Sequence, residues 1–231
     1  KTLAFDTGPG NFWIDASASK ITNGRASMDR DGQLARAGKA DLQAVQKLLT
    51  HAFFKKSPPK STGRDDFPFQ LLLRATRTTG NDLIATATRV TVESIATAYE
   101  RFILGKGMSV SSIWVGGGGE KNLFLLQSLR DRLPSIQIRG LSERGPSAQY
   151  LEAQAFAYLG WMTLLGVPLG GPWTGAKPHA PPGRITPGKN WPELAQILAA
   201  NPVWTEAAAL FDGMTKNRPV RRVENRVRTA P

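Results

Sequence analysis

The chain has 231 residues, 41% of them hydrophobic and 21% charged, with a net charge of +12; this suffices for one sizeable core and is ordinary for a globular protein. It holds no cysteine and two histidines, which excludes disulfides, thiolate metal sites and a cysteine nucleophile and disfavours a histidine-rich metal centre. No secretory signal pattern opens it, and its most apolar stretch, Ala153 to Leu169, is broken by Gln154, Gly160, Gly166 and Pro168, so a buried helix is expected there rather than a membrane span.

Leu3, Ala4 and Phe5 form a short apolar run that predicts a central strand, with Asp6 at its C-terminal edge, where ligands of α/β sheets gather. Strand residues begin at once behind Lys1, so the chain is expected to start inside a larger architecture. Gly8 and Gly10 permit close backbone approach, and the N–H groups of such a turn can point at anionic oxygens. Asn11 can cap the helix that follows. An ordinary turn after a strand-end aspartate explains the same residues.

Asp41 caps a predicted helix with Leu42, Val45, Leu48 and Leu49 on one face. Lys55 to Asp66 is a proline-rich basic loop, and a long periodic segment from about Asp82 to Leu104 carries Ile84, Val90, Ile95, Ala98 and Phe102. Ser111 to Val115 reads as a second strand. It runs into Gly116-Gly117-Gly118-Gly119-Glu120-Lys121-Asn122 and then a helix with Leu123, Leu126, Leu129 and Leu133 on one face. Four successive glycines bury no side chain and are costly to order, which points to something flat or charged against that backbone, a flexible loop being the alternative. The run fits neither Walker A nor the dinucleotide fingerprint.

Ser135 to Ile138 is a further short strand. Leu151 to Leu165 is apolar nearly all round, as in a helix sandwiched within a core, and Pro168 to Trp191 is irregular. Asn190 caps a helix to about Ala200, and a short helix falls near Thr205 to Phe211. The expected organisation is one domain over 1–214 and a basic, disordered tail over 215–231, where Lys216, Arg218, Arg221, Arg222, Arg226 and Arg228 face Glu224 alone. That tail is the sole support for nucleic-acid association, which a solvated extension explains better.

Several motifs occur in order. They are Phe5-Asp6-Thr7-Gly8-Pro9-Gly10-Asn11, Pro58-Pro59-Lys60-Ser61-Thr62-Gly63-Arg64-Asp65, Gly117-Gly118-Gly119 with Asn122, Glu152-Ala153-Gln154-Ala155-Phe156-Ala157, Gly166-Val167-Pro168 and Thr174-Gly175-Ala176. Together they resemble the C-terminal half of anhydro-N-acetylmuramic acid kinases, of the sugar kinase, heat-shock ATPase and actin superfamily, over roughly residues 1 to 190. The resemblance implies an α/β, ribonuclease-H-like lobe with a mixed β-sheet flanked by helices. Its implied partners are ATP, Mg2+, an anhydro amino sugar and a missing N-terminal lobe. It also implies a cytoplasmic setting and leaves a homodimer open.

By the same resemblance Asp6 is the base on a water that attacks the anomeric carbon, while the released 6-oxygen takes the γ-phosphate. Glu152 would help hold that water, unless it is a carboxylate merely favoured by a helix start. Thr7, Gly8, Pro9, Gly10 and Asn11 would form a phosphate loop, and Gly117, Gly118, Gly119 and Asn122 would lie along the adenosine. The Lys60 to Arg64 cluster would touch sugar or phosphate, or be a surface loop in which Arg64 pairs with a carboxylate.

Three departures leave a non-catalytic member of the superfamily open. The carboxylate expected before the Glu152 helix is absent from Glu143 to Tyr150, and Gly170-Gly171 and Ala180-Pro181-Pro182 interrupt the region around Thr174.

Overall fold

The computed structural model describes residues 3–145, 150–171, 173–176 and 181–200. The chain divides into two compact units. One comprises Lys1–Gln154 with Trp173–Gly175, the other Ala155–Pro172 with Ala176–Pro231.

The first unit is built around α6 (Gly80–Phe102). Leu83, Ile84, Ala87 and Val90 of α6 are buried in one hydrophobic cluster with Trp13, Ile14 and Ala18 of α1 (Phe12–Ile21), Ala35 of α2 (Gln33–Arg36) and Val45 and Leu48 of α3 (Leu42–Leu49). Phe53 of α4 (Ala52–Lys55), Phe67 from the segment before α5, and Leu72 of α5 (Phe69–Ala75) complete it. Each fully buried large side chain contributes about 1.5–3 kcal/mol. Two and six residues beyond Val90, Val92 and Ala96 enter a second cluster with Ile113, Leu125, Leu126, Leu129, Leu133, Ile136 and Ile138.

That second cluster lies under a β-α-β unit. β1 (Ser112–Val115) pairs in parallel with β2 (Gln137–Gly140), Ile113 opposite Ile138, with α7 (Leu123–Arg132) as the connection, as parallel neighbours require. The chain is therefore α/β, mostly helical, and its sheet among the described residues is this one pair.

Threonines are tolerated inside α6 because their hydroxyls bond back to the helix: Thr86 donates to Asp82 O at 2.7 Å and Thr88 to Ile84 O at 2.9 Å. Asp41 caps α3, accepting from Ala44 N–H at 3.0 Å, as the sequence predicts.

Two expectations need correction. Leu3–Phe5 joins no ladder; Ala4 N–H donates to Trp173 O at 3.0 Å and Asp6 N–H to Lys60 O at 2.9 Å, so irregular segments replace the neighbouring strands. α8 (Leu151–Leu164) is helical as predicted, but none of its residues is buried. Its apolar composition does not put it inside a core: Phe156, Tyr158 and Trp161 are 71%, 56% and 40% exposed.

In the second unit the end of α8 is closed by Val167 N–H donating to Met162 O at 2.9 Å. α9 (Trp191–Ala200) follows the irregular stretch. The helix expected near Thr205 to Phe211 and the basic tail lie outside the described residues.

Candidate active site

The two glycine loops meet in the first unit. β1 delivers Gly116 at its C-terminal end, the edge at which α/β sheets bind ligands. Gly117 (φ +72°) then turns the chain through a short 3-10 segment, Gly117–Lys121. Asn122 stops it and caps α7, its Oδ1 accepting from Leu125 N–H at 2.9 Å while the side chain stays buried. Opposite stands Asn11. Its side chain makes no capping bond to α1, contrary to expectation, and instead faces the second loop: a Cβ on Gly118 would lie 3.4 Å from Asn11 Nδ2, and one on Gly119 3.8 Å from it.

Asn11, Gly118 and Asn122 line a cavity of about 430 Å³ with Asp15, Asp29 and Asp31. Asp29 is committed to structure, its two carboxylate oxygens accepting from Leu34 and Ala35 N–H at 2.9 Å each. Gly32 beside it has φ +71°, and any side chain there would collide with Asn122 Oδ1 and Phe124 Cβ, so only glycine closes this wall. Burial, reinforced by the charge of Asp29, raises the pKa of the Asp15 carboxyl. Asp15, Asp29 and Asp31 carry no motif in the sequence; Asp15 stands four residues after Asn11 on α1, which is the one local sign that it shares Asn11's face.

On the other side of the first loop lies a second cavity of about 230 Å³, lined by Asp6, Gly8, Pro9, Phe12, Thr62 and Arg64, among others. Asp6 is held there by the Lys60 to Arg64 loop. Its Oδ2 accepts from Ser61 Oγ at 2.9 Å and from Thr62 N–H at 2.8 Å, while Oδ1 accepts no hydrogen bond among the described residues. Thr62 Oγ1 in turn donates to Asp66 at 2.8 Å, and that hydrogen bond is the main cause that lowers the Asp66 pKa.

Such an aspartate is oriented through one oxygen and left with a free lone pair on the other, the arrangement a general base needs. The sequence singles out the Lys-Ser-Thr-Gly-Arg run but not that its Ser61 and Thr62 hold Asp6.

Gly10 is anchored from the core, its carbonyl accepting from Thr91 Oγ1 of α6 at 2.7 Å. Thr7 lines a narrow space beside Lys60, Ser94 and Arg101. Lys60 is half-buried. Its ammonium sits 4.4 Å from the centroid of Phe53 and 5.2 Å from that of Phe102 and donates to Phe53 O at 3.2 Å. Burial first, then the charges of Arg101 and Lys56, lower its pKa.

Glu152 stands exposed in the first turn of α8 and lines neither cavity. Gly117 and Gly119 flank Gly118 without lining the larger one.

The family model for anhydro-N-acetylmuramic acid kinase matches residues 1–188. A relative of that name from Acidithiobacillus ferrooxidans is 40% identical over 205 residues, covering 87% of this chain and 51% of the relative. Those from Rhodococcus erythropolis and Streptomyces coelicolor are 34% and 35% identical, covering 86% and 81% of this chain and 50% and 48% of theirs. The chain spans about half the length of the curated relatives it matches. With its motifs falling inside the matched residues, the chain belongs to the anhydro-N-acetylmuramic acid kinase family.

Proposed function

We propose that this chain supplies the base-bearing lobe, ribonuclease-H-like in fold, of an ATP-dependent anhydro-N-acetylmuramic acid kinase, and that it works with an N-terminal lobe carrying the other phosphate loop. The observation that carries the reading is the position of the Gly8–Asn11 loop as a common wall between the Asp6 cavity and the Gly118 cavity. Phosphoryl transfer needs donor and acceptor on two sides of one phosphate-binding element.

ATP would occupy the Gly118 side, with adenosine along Gly117, Gly118 and Gly119 and its phosphates at Thr7, Gly8, Gly10 and Asn11. The sugar would occupy the Asp6 side. There Asp6 Oδ1 takes a proton from a water, whose oxygen bonds to the anomeric carbon as the internal ether opens, and the released 6-oxygen bonds to the γ-phosphorus with ADP leaving. Ser61 and Thr62 keep the Asp6 carboxylate aimed. Asn122 supports the second loop as the α7 cap rather than through its oxygen to the nucleotide.

Mg2+ accompanying ATP is usually held by phosphate oxygens, waters and one or two carboxylates. Asp15 and Asp31 on the nucleotide-side cavity fit that donor set, and the ion would neutralise phosphate charge there. ATP as phosphoryl donor fits a cytoplasmic setting, and among the described residues no helix is long and apolar enough to cross a membrane. The exposed Glu152 favours a second reading, a non-catalytic nucleotide-binding member of the family.

Mixing the chain with the N-terminal half of the Acidithiobacillus relative tests the choice. Sugar-dependent ADP release from the mixture, absent from either half alone, is expected; ATP binding by the chain without any turnover in the mixture selects the second reading.

A further inference from the structure

The Asp6 cavity carries a cation that the reaction as described leaves unused. The Arg64 guanidinium carbon lies 5.1 Å from the centroid of Phe12. Among the described residues no carboxylate pairs with it: the ion pairs are Arg89–Glu93, Arg132–Glu93 and Arg132–Glu100. Asp66, the nearby carboxylate of the same loop, is engaged by Thr62. An arginine stacked on a ring keeps its donors in a planar fork, pre-organised for a carboxylate or phosphate and less costly to immobilise than a free one. Asp6 and Arg64 are the charged residues on this cavity's wall, so an anionic group of a molecule lying against Asp6 would meet one matching cation there.

Two anions come near an anhydro-N-acetylmuramic acid kinase site: the transferred phosphoryl group and the substrate's own lactyl ether carboxylate. The position of Arg64 favours the carboxylate, because it flanks the Asp6 cavity and not the one lined by Asn11, Gly118 and Asn122. Resting on the kinase reading, we propose that Arg64 is the specificity-determining residue that pairs with the lactyl carboxylate and so separates the muramic acid from its glucosamine counterpart.

Isothermal titration of the full chain, without nucleotide, with 1,6-anhydro-N-acetylmuramic acid and with 1,6-anhydro-N-acetylglucosamine tests this. A charge-assisted pair should give the muramic acid a preference of about tenfold to a hundredfold. Arg64→Ala should abolish the preference while leaving the glucosamine sugar's affinity unchanged, and Arg64→Lys should restore part of it, as a point charge without the fork. Arg64 is exposed, and an unchanged circular dichroism spectrum accompanies each variant.

Equal binding of both sugars by the natural chain, binding of neither, or a preference that survives Arg64→Ala overturns the pairing. So does equal weakening of both sugars by Arg64→Ala, the pattern of a residue that only shapes the cavity. The outcome is separable from the kinase reading. A sugar preference without turnover in the mixed halves sinks that reading alone, and turnover without a preference sinks the pairing alone.

Discussion

The two glycine loops look alike in sequence and are held in opposite ways. The first is pressed into the core: a Cβ on Gly8 would come within 3.0 Å of Phe54 and 3.1 Å of Ser94 Oγ, and Thr91 fixes the Gly10 carbonyl. The second is open. Nothing lies within 4 Å of a Cβ on Gly117, and Gly118 meets only Asn11, from across the cleft. At Gly8 glycine is thus favoured by packing as well as by any ligand, whereas over Gly117–Gly119 only the backbone angle at Gly117 or an occupant of the cleft requires it.

The largest effect should come from the carboxylate that the first loop follows. Asp6→Asn, in the chain mixed with an N-terminal half, should lower kcat by about 10²–10⁴ with ATP affinity nearly unchanged; near-normal turnover by steady-state assay would remove Asp6 from the chemistry. Next in size are the loops. Gly8→Ala must displace Phe54 or Ser94 and should cost about 1–3 kcal/mol in urea unfolding, while Gly118→Ala should stay within about 0.5 kcal/mol, as an open surface site does. Equal losses at the two positions would erase the contrast.

Gly118→Val sharpens it further: it should leave the fold intact yet abolish ATP binding by calorimetry, because a branched side chain fills the face on which adenosine would lie. Thr91→Val leaves the Gly10 carbonyl without its donor and should cost about 1–3 kcal/mol, read from the same unfolding curves.

The smallest effect concerns Asp15, beside the open loop. Its folded pKa is raised, so relative to a neutral group its ionisation favours the unfolded chain, increasingly as pH climbs from the unfolded value near 3.8 through the folded one, and not at all below 3.8. Asp15→Asn should therefore raise the melting temperature at pH 7 and lose that advantage at pH 3.5; a gain independent of pH would mean that the carboxyl's charge is not its cause.

Local chemistry explains which parts were legible in the sequence. The strand and helix on either side of Gly116–Asn122 and the long α6 follow from periodicity, and Asp41 from capping preference, because these depend on residues close in the chain. The two asparagines divide differently from expectation. Asn11 precedes a helix but turns its side chain to the other loop, and Asn122 both lines the larger cavity and caps α7; nothing within four residues distinguishes them. α8 fails differently, since its composition reports that it is apolar and not whether this chain provides anything to cover it. The pairing of Asp6 with Ser61 and Thr62 spans more than fifty positions and becomes visible only once the chain is folded.

α6 contributes to both hydrophobic clusters, and the threonine that grips the Gly10 carbonyl lies between its two contributions. Neither cluster can melt and leave the other a complete helix to rest on. Heating the first unit should consequently produce a single calorimetric transition, and the amide protons of Val90 to Val92 should be among the last to exchange with deuterium, at the point where the Gly8–Asn11 loop is moored.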